Sequence, residues 1–152
     1  MKHFKFIYFL IIVISCTKEK TTFYKTEIIN NTIYKISILS YKNNIKIDSL
    51  VFLPNSSKQI AEGSNRGITG NGGFYSSFIA NSDSFIVVFN NTNKISHYNK
   101  VVQFSTKYYT YESKRNLFNL NSYEYSNVDK NKNTRNNQFN YFFTEQDYLD
   151  TK

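Results

Sequence analysis

This 152-residue chain has one cysteine, one proline and no tryptophan. A lone thiol cannot close a disulfide within the chain and cannot assemble a cysteine-ligated zinc site. His3 and His97 are the only imidazoles, which also excludes a histidine-rich metal centre. All five glycines fall between Gly63 and Gly73. Their order matches neither a P-loop nor a dinucleotide fingerprint, because both need a helix next, and an aromatic segment follows instead. No apolar run approaches the about 20 residues that a helix needs to cross a bilayer. The run Phe6–Ile14, nine residues including Tyr8, is too short.

That run nevertheless has a meaning. Lys2, His3 and Lys5 precede it, and the small residue Ser15 ends it before the single cysteine. A positive start, a short hydrophobic centre and a small residue at the boundary make a secretory signal peptide. Val13–Ile14–Ser15–Cys16 ("VISC") resembles the lipobox of bacterial lipoproteins. The resemblance implies cleavage between Ser15 and Cys16, a diacylglycerol thioether on Cys16 and further acylation of the new amino terminus. Two or three chains hold a protein stably at a membrane, where one holds it marginally. Thr17 stands where an aspartate commonly retains such proteins in the inner membrane, so the resemblance implies the outer membrane, on its periplasmic face or at the cell surface. The expected organisation is a signal peptide over 1–15, a lipidated tether over 16–22 and one domain over 23–152.

Loss of the leader would remove Lys2 and Lys5, leaving 17 basic and 11 acidic residues, a charge of +6. A basic, aromatic-rich chain invites a nucleic-acid reading. Composition argues against it. Asn, Lys, Ile, Tyr and Phe supply 80 of the 152 residues, and all five have A/T-rich codons, so an AT-rich genome gives this balance without selection for binding. The lysines are also scattered rather than clustered. No nucleic-acid partner is expected.

The domain reads as strands punctuated by asparagine turns. Thr22–Ile29 is a first strand. Thr32–Tyr41 and Ile45–Leu53 alternate about Lys42–Asn43–Asn44, whose asparagines tolerate positive φ, a hairpin signal. The pattern predicts Ile45, Ile47 and Val51 inward, with Lys46 and Asp48 outward. Pro54–Ser57 is a turn, and Lys58–Ala61 a short strand before the glycine loop. Phe74–Ala80, Ser84–Asn90 and Lys94–Tyr98 follow as strands, the second apolar enough to be central. Weaker strands are expected at Val101–Ser105, Lys107–Tyr111 and Leu117–Tyr125. Asn127–Gln138 is too polar to pack and reads as a mobile loop. In Phe139–Thr144, residues Phe139, Tyr141 and Phe143 share one face. Thr144 can cap a single helical turn with Glu145 and Asp147 at its positive end. Many short strands and little helical periodicity predict an all-β, antiparallel sandwich, immunoglobulin-like or related; a small barrel is the alternative. The layout, down to the final "YFFTEQDYLD", resembles small Bacteroidota lipoproteins, a likeness that brings no activity with it.

Catalytic chemistry finds little purchase. His97 lies beside Ser96 on a strand, and neighbours on a strand point to opposite faces, so the pair cannot act together. His97 reads as a strand-surface residue. The acids form no local motif, and Asn127–Asn133 carries Lys130 and Lys132, which oppose a bound calcium. No catalytic residue, metal or cofactor is expected. Tyr109 with Tyr111, and Tyr123 with Tyr125, share faces in pairs, and exposed aromatic rows can stack on sugar rings or peptides. These four are the candidate ligand surface. The expectation is a non-enzymatic binding or structural module held at the membrane through Cys16, its protein or glycan partner open. A small accessory hydrolase and a toxin-protection lipoprotein are the alternatives.

Overall fold

The computed structural model describes residues 20–67, 76–100 and 107–152, without the side chains of 128–130. Residues 1–19, Ser15 and Cys16 among them, lie outside the described residues, as do the expected strand at 101–105 and Gly70, Gly72 and Gly73. The elements in order are β1 (Thr21–Asn30), β2 (Ile36–Lys42), β3 (Ile45–Phe52), β4 (Ser56–Arg66), α1 (Ser77–Ala80), β5 (Ser84–Phe89), β6 (Asn93–Tyr98), β7 (Tyr108–Tyr109), a 3-10 turn (Leu120–Ser122), β8 (Glu124–Asn131), β9 (Thr134–Phe143) and α2 (Glu145–Leu149).

Two open sheets pack face to face, one ordered β4-β1-β9-β8 and the other β3-β2-β5-β6-β7. The fold is therefore an all-β sandwich, and the sheets do not close into a barrel. Most pairings are antiparallel, while β1 with β9 and β6 with β7 run parallel. The apolar strand β5 is central, as its run of Phe85, Val87, Val88 and Phe89 requires. Ile28, Ile36, Ile38, Phe52, Phe85, Phe89 and Phe143 form the fully buried centre. Alternation along β9 puts Phe139, Tyr141 and Phe143 inward, as the pattern predicted. Asn43 and Asn44 (φ 50° and 64°) close the β2–β3 hairpin, and Asn90 and Asn91 (φ 46° and 62°) close β5–β6. Paired positive φ values match the twist of the two-residue β2–β3 hairpin, and the β5–β6 turn adds a third residue, Thr92.

Four expectations are corrected. Ile45, Ile47 and Val51 are exposed rather than inward. Register explains it: Phe52 and Leu50 face Ile36 and Ile38, and a bulge at Ser40/Tyr41 shifts the rest of β3, an edge strand, past the core. Phe74–Ala80 is not a strand where it is described. Ser76 accepts the Ile79 N–H at 3.2 Å and starts the single turn of α1. The polar stretch Asn127–Gln138 is a hairpin, β8 to β9, with its turn at Lys132–Asn133. Its polarity suits the rim of a sheet with water on the outer face. Finally, β1 begins at Thr21, so the strand takes up the end of the expected tether, and β4 continues through Gly63 to Arg66.

Candidate binding site and the buried polar cluster

Four of the five residues that line a cavity of about 340 Å³ come from the segment Leu120–Tyr125: Leu120, Asn121, Tyr123 and Tyr125; Phe139 is the fifth. Local structure sets each of them. The Asn119 carboxamide accepts the Asn121 N–H at 2.9 Å and begins the 3-10 turn that presents Leu120 and Asn121. Tyr125 lies opposite Phe139 across β8 and β9, with ring centroids 5.1 Å apart. Tyr123 leans edge-on against Tyr141 at 5.3 Å. Both tyrosine hydroxyls are engaged: Tyr123 Oη donates to the Leu117 carbonyl at 2.9 Å and Tyr125 Oη to Asn137 Oδ1 at 3.0 Å. The cavity therefore offers ring carbons and leucine methyls, with the Asn121 amide as a polar handle. Tyr125 and Leu120 remain about half exposed at its mouth, at 49% and 45%. Concave, mostly apolar lining with few polar groups is the usual character of a small-ligand site.

A second cluster is polar and closed on itself. Asp147, fully buried at the start of α2, receives Arg115 Nε at Oδ1 (2.8 Å), the Arg115 Nη2 ion pair at Oδ2, and the Thr144 N–H at Oδ2 (2.8 Å). Arg115 Nη2 also donates to Thr144 Oγ1 at 2.7 Å, and the Arg115 carbonyl accepts Tyr141 Oη at 2.7 Å. Tyr109 Oη donates to Asp147 Oδ1 at 3.3 Å and to Asp150. Burial pushes the Asp147 carboxyl above its ordinary value, opposed by the Arg115 and Thr144 bonds. Burial also raises the Tyr109 hydroxyl well above its usual range, with the Asp150 bond adding to it. Burial pulls Arg115 down, but its bonds to Asp147 more than offset this and hold the guanidinium charged.

His97 is completely buried, a correction to the surface position expected of it. Its Nδ1 accepts the Leu117 N–H at 3.1 Å, so Nε2 carries the proton, and that atom has no partner among the described residues. The Tyr109 ring meets it edge-on at 5.0 Å. Burial first and the charge of Arg115 second lower its pKa to about 3, so the ring is neutral at ordinary pH. Among the described residues neither nitrogen bonds a hydroxyl or a carboxylate, and Ser96 lies on the opposite face.

The four candidate tyrosines thus divide. Tyr123 and Tyr125 share the cavity, Tyr109 is buried in the polar cluster, and Tyr111 sits in a turn beside a separate depression with Ile79 and Phe118. The strand expected at 107–111 is only Tyr108–Tyr109, so Tyr109 and Tyr111 share no sheet face. Sequence reading missed Leu120, Asn121 and Phe139 as cavity walls, and Arg115 as the partner of Asp147. The Asn119 capping signal before Leu120 was the one local clue. No group of three or more acid, histidine or cysteine ligands gathers among the described residues. There too, no helix is long and apolar enough to cross a membrane. Comparison with protein-family models, with curated proteins and with solved structures finds no match.

Proposed function

We propose that this chain is a lipid-anchored protein of the bacterial cell envelope, held at the outer membrane through Cys16, whose sandwich is a non-enzymatic binding module. The observation that carries the binding reading is the cavity framed by Leu120, Asn121, Tyr123, Tyr125 and Phe139. Because both tyrosine hydroxyls are already bonded, the walls suit the apolar face of a sugar ring or an apolar peptide side chain. Such stacking supplies roughly 0.5–1.5 kcal/mol per aromatic contact beyond area burial. The polar groups Arg115, Asp147 and Tyr109 bond one another and hold α2 and the loop before β8 in place. The anchor reading rests on the Val13–Cys16 pattern and the short leader before it.

The test is a titration of the purified protein with neutral oligosaccharides and, separately, with peptides carrying one bulky apolar residue, followed by tyrosine fluorescence. A saturable change with one class, lost in Tyr125→Ala, is the expected result. No saturable change with either class, or a change that survives Tyr125→Ala, contradicts the cavity as the site.

A further inference from the structure

The sandwich carries exposed cations at both ends, and one of those ends is where the tether enters. Cys16 precedes Lys20 by four residues, which extended span about 14 Å. Lys20 leads directly into β1. Thr21 is in register with Arg66 of β4 and Thr134 of β9, and its N–H donates to the Asn133 carbonyl at 2.8 Å. Gly67 N–H donates to the Lys20 carbonyl at 3.1 Å. The start of β1, the end of β4 and the β8–β9 turn therefore share one end of their sheet, with the exposed Arg66 and Lys132 and the half-buried Lys20 and Arg135 upon it. In the other sheet β2 runs back toward the same end and brings Lys42 and Lys46, both exposed.

Acids stand there as well. Asp129 is in register opposite Arg135, and Asp83 is engaged by the Asn43 N–H at 2.7 Å and by the Ser84 hydroxyl at 3.0 Å. Asp48 stands a little further in, opposite Ser40. The far end carries Glu145, Asp150, the paired Arg115 and Asp147, and exposed Lys35, Lys58, Lys94 and Lys152, so what sets the tether end apart is its place beside the anchor together with its cations.

We propose that the tether end of the sandwich is a docking surface for anionic lipid headgroups, such as phosphatidylglycerol, so that the domain sits end-on at the bilayer. The proposal rests on the lipid-anchor reading above. A tether this short keeps the end within about two Debye lengths of the headgroups at physiological salt. Cations so placed each strengthen attachment to an anionic surface by roughly fivefold.

The acylated protein, reconstituted in vesicles of phosphatidylcholine alone or with roughly one-third phosphatidylglycerol, tests it by amide hydrogen exchange. Backbone amides at 65–67 and 131–134 should exchange about fivefold more slowly on the anionic vesicles. That difference should vanish at about 0.5 M salt and shrink in the double variant Arg66→Glu, Lys132→Glu. The far turns, Asn55 and Asn90–Asn91, should not change. Equal exchange on the two vesicles, or slowing at the far turns instead, overturns the proposal. Intact mass of the same preparation separates the readings. Unacylated Cys16 removes the anchor and this proposal with it; acylated protein without lipid-dependent slowing removes the docking surface alone.

Discussion

At the end of the sandwich remote from residue 20, Asn30 uses its whole amide: Nδ2 donates to the carbonyls of Tyr34 and Leu53, both at 2.8 Å, and Oδ1 accepts the Thr32 N–H and hydroxyl at 3.0 and 2.7 Å. Beside it Tyr34 stacks on Tyr148 of α2 at 4.0 Å, and Arg115 meets Asp147. At the tether end the polar contacts among the described residues are sparser: the Ser40 and Ser82 hydroxyls share a bond, Ser82 donates to the Phe78 carbonyl, and Asp83 accepts the Asn43 N–H. Around them lie strand termini, polar turns and the exposed Arg66, Lys132, Lys42 and Lys46. The two ends are stabilised in different ways. One is tied by buried polar groups with every atom satisfied, which makes it rigid and intolerant of change. The other is solvated and tolerant, the character expected of a surface that meets headgroups.

That contrast can be broken at its strong end first. Asp147→Ala leaves a partly buried Arg115 without its partner and should cost about 3–5 kcal/mol in a denaturant titration. A loss below about 1 kcal/mol would mean that the cluster does not hold the far end.

Acid should act next, through the interior between the ends. An unfolded histidine titrates near 6.5, whereas folded His97 stays neutral down to about 3. As pH falls below roughly 6.5 the unfolded chain gains the proton and the folded one does not. Stability present above that value is therefore lost, at up to about 1.4 kcal/mol per pH unit. Asp147 works in the opposite sense, because its raised carboxyl takes up a proton earlier in the folded state. His97→Gln, which can still accept the Leu117 N–H, should flatten the slope between about pH 6 and 4, and an unchanged slope would clear His97 of the effect.

A smaller step at the far end is Asn30→Ala, which strands two carbonyls and the Thr32 donors at a cost of about 1–3 kcal/mol. The smallest effect belongs to the half of β4 nearer the tether. At Gly63 a Cβ would run into Tyr24 Oη, the far end of a side chain that covers the glycine from its paired position. Gly63→Ala needs only that ring to swing aside and should shift stability by less than about 1 kcal/mol. A thermal melt comparing Asn30→Ala with Gly63→Ala therefore ranks the ends directly, and a larger loss at Gly63 would reverse the ranking.

The sandwich was legible because burial imposes a period of two on strands that have one dry face. Ile36 and Ile38 in β2, and Phe139, Tyr141 and Phe143 in β9, show it plainly. Legibility failed where another rule competed. In β3 alternation was real, but Phe52 and Leu50 took the inward phase, which leaves Val51 and Ile47 of this edge strand facing water. In β8 and β9 hydrophilic residues still formed a ladder, since backbone pairing does not need apolar side chains. His97 looked like a surface residue because its partner, the Leu117 N–H, lies twenty positions away. Half of the candidate surface, Tyr123 and Tyr125, was readable as a local pair. The walls that make it a cavity come from a 3-10 turn and from β9, which only the folded chain brings together.

The first sixteen residues decide how the domain is held, and the intact mass of protein extracted from native membranes tests them most directly. The mature chain should begin at Cys16 and carry a diacylglyceryl thioether, with or without an amide-linked third chain. A mass that retains residues 1–15, or that leaves Cys16 unmodified, would contradict it.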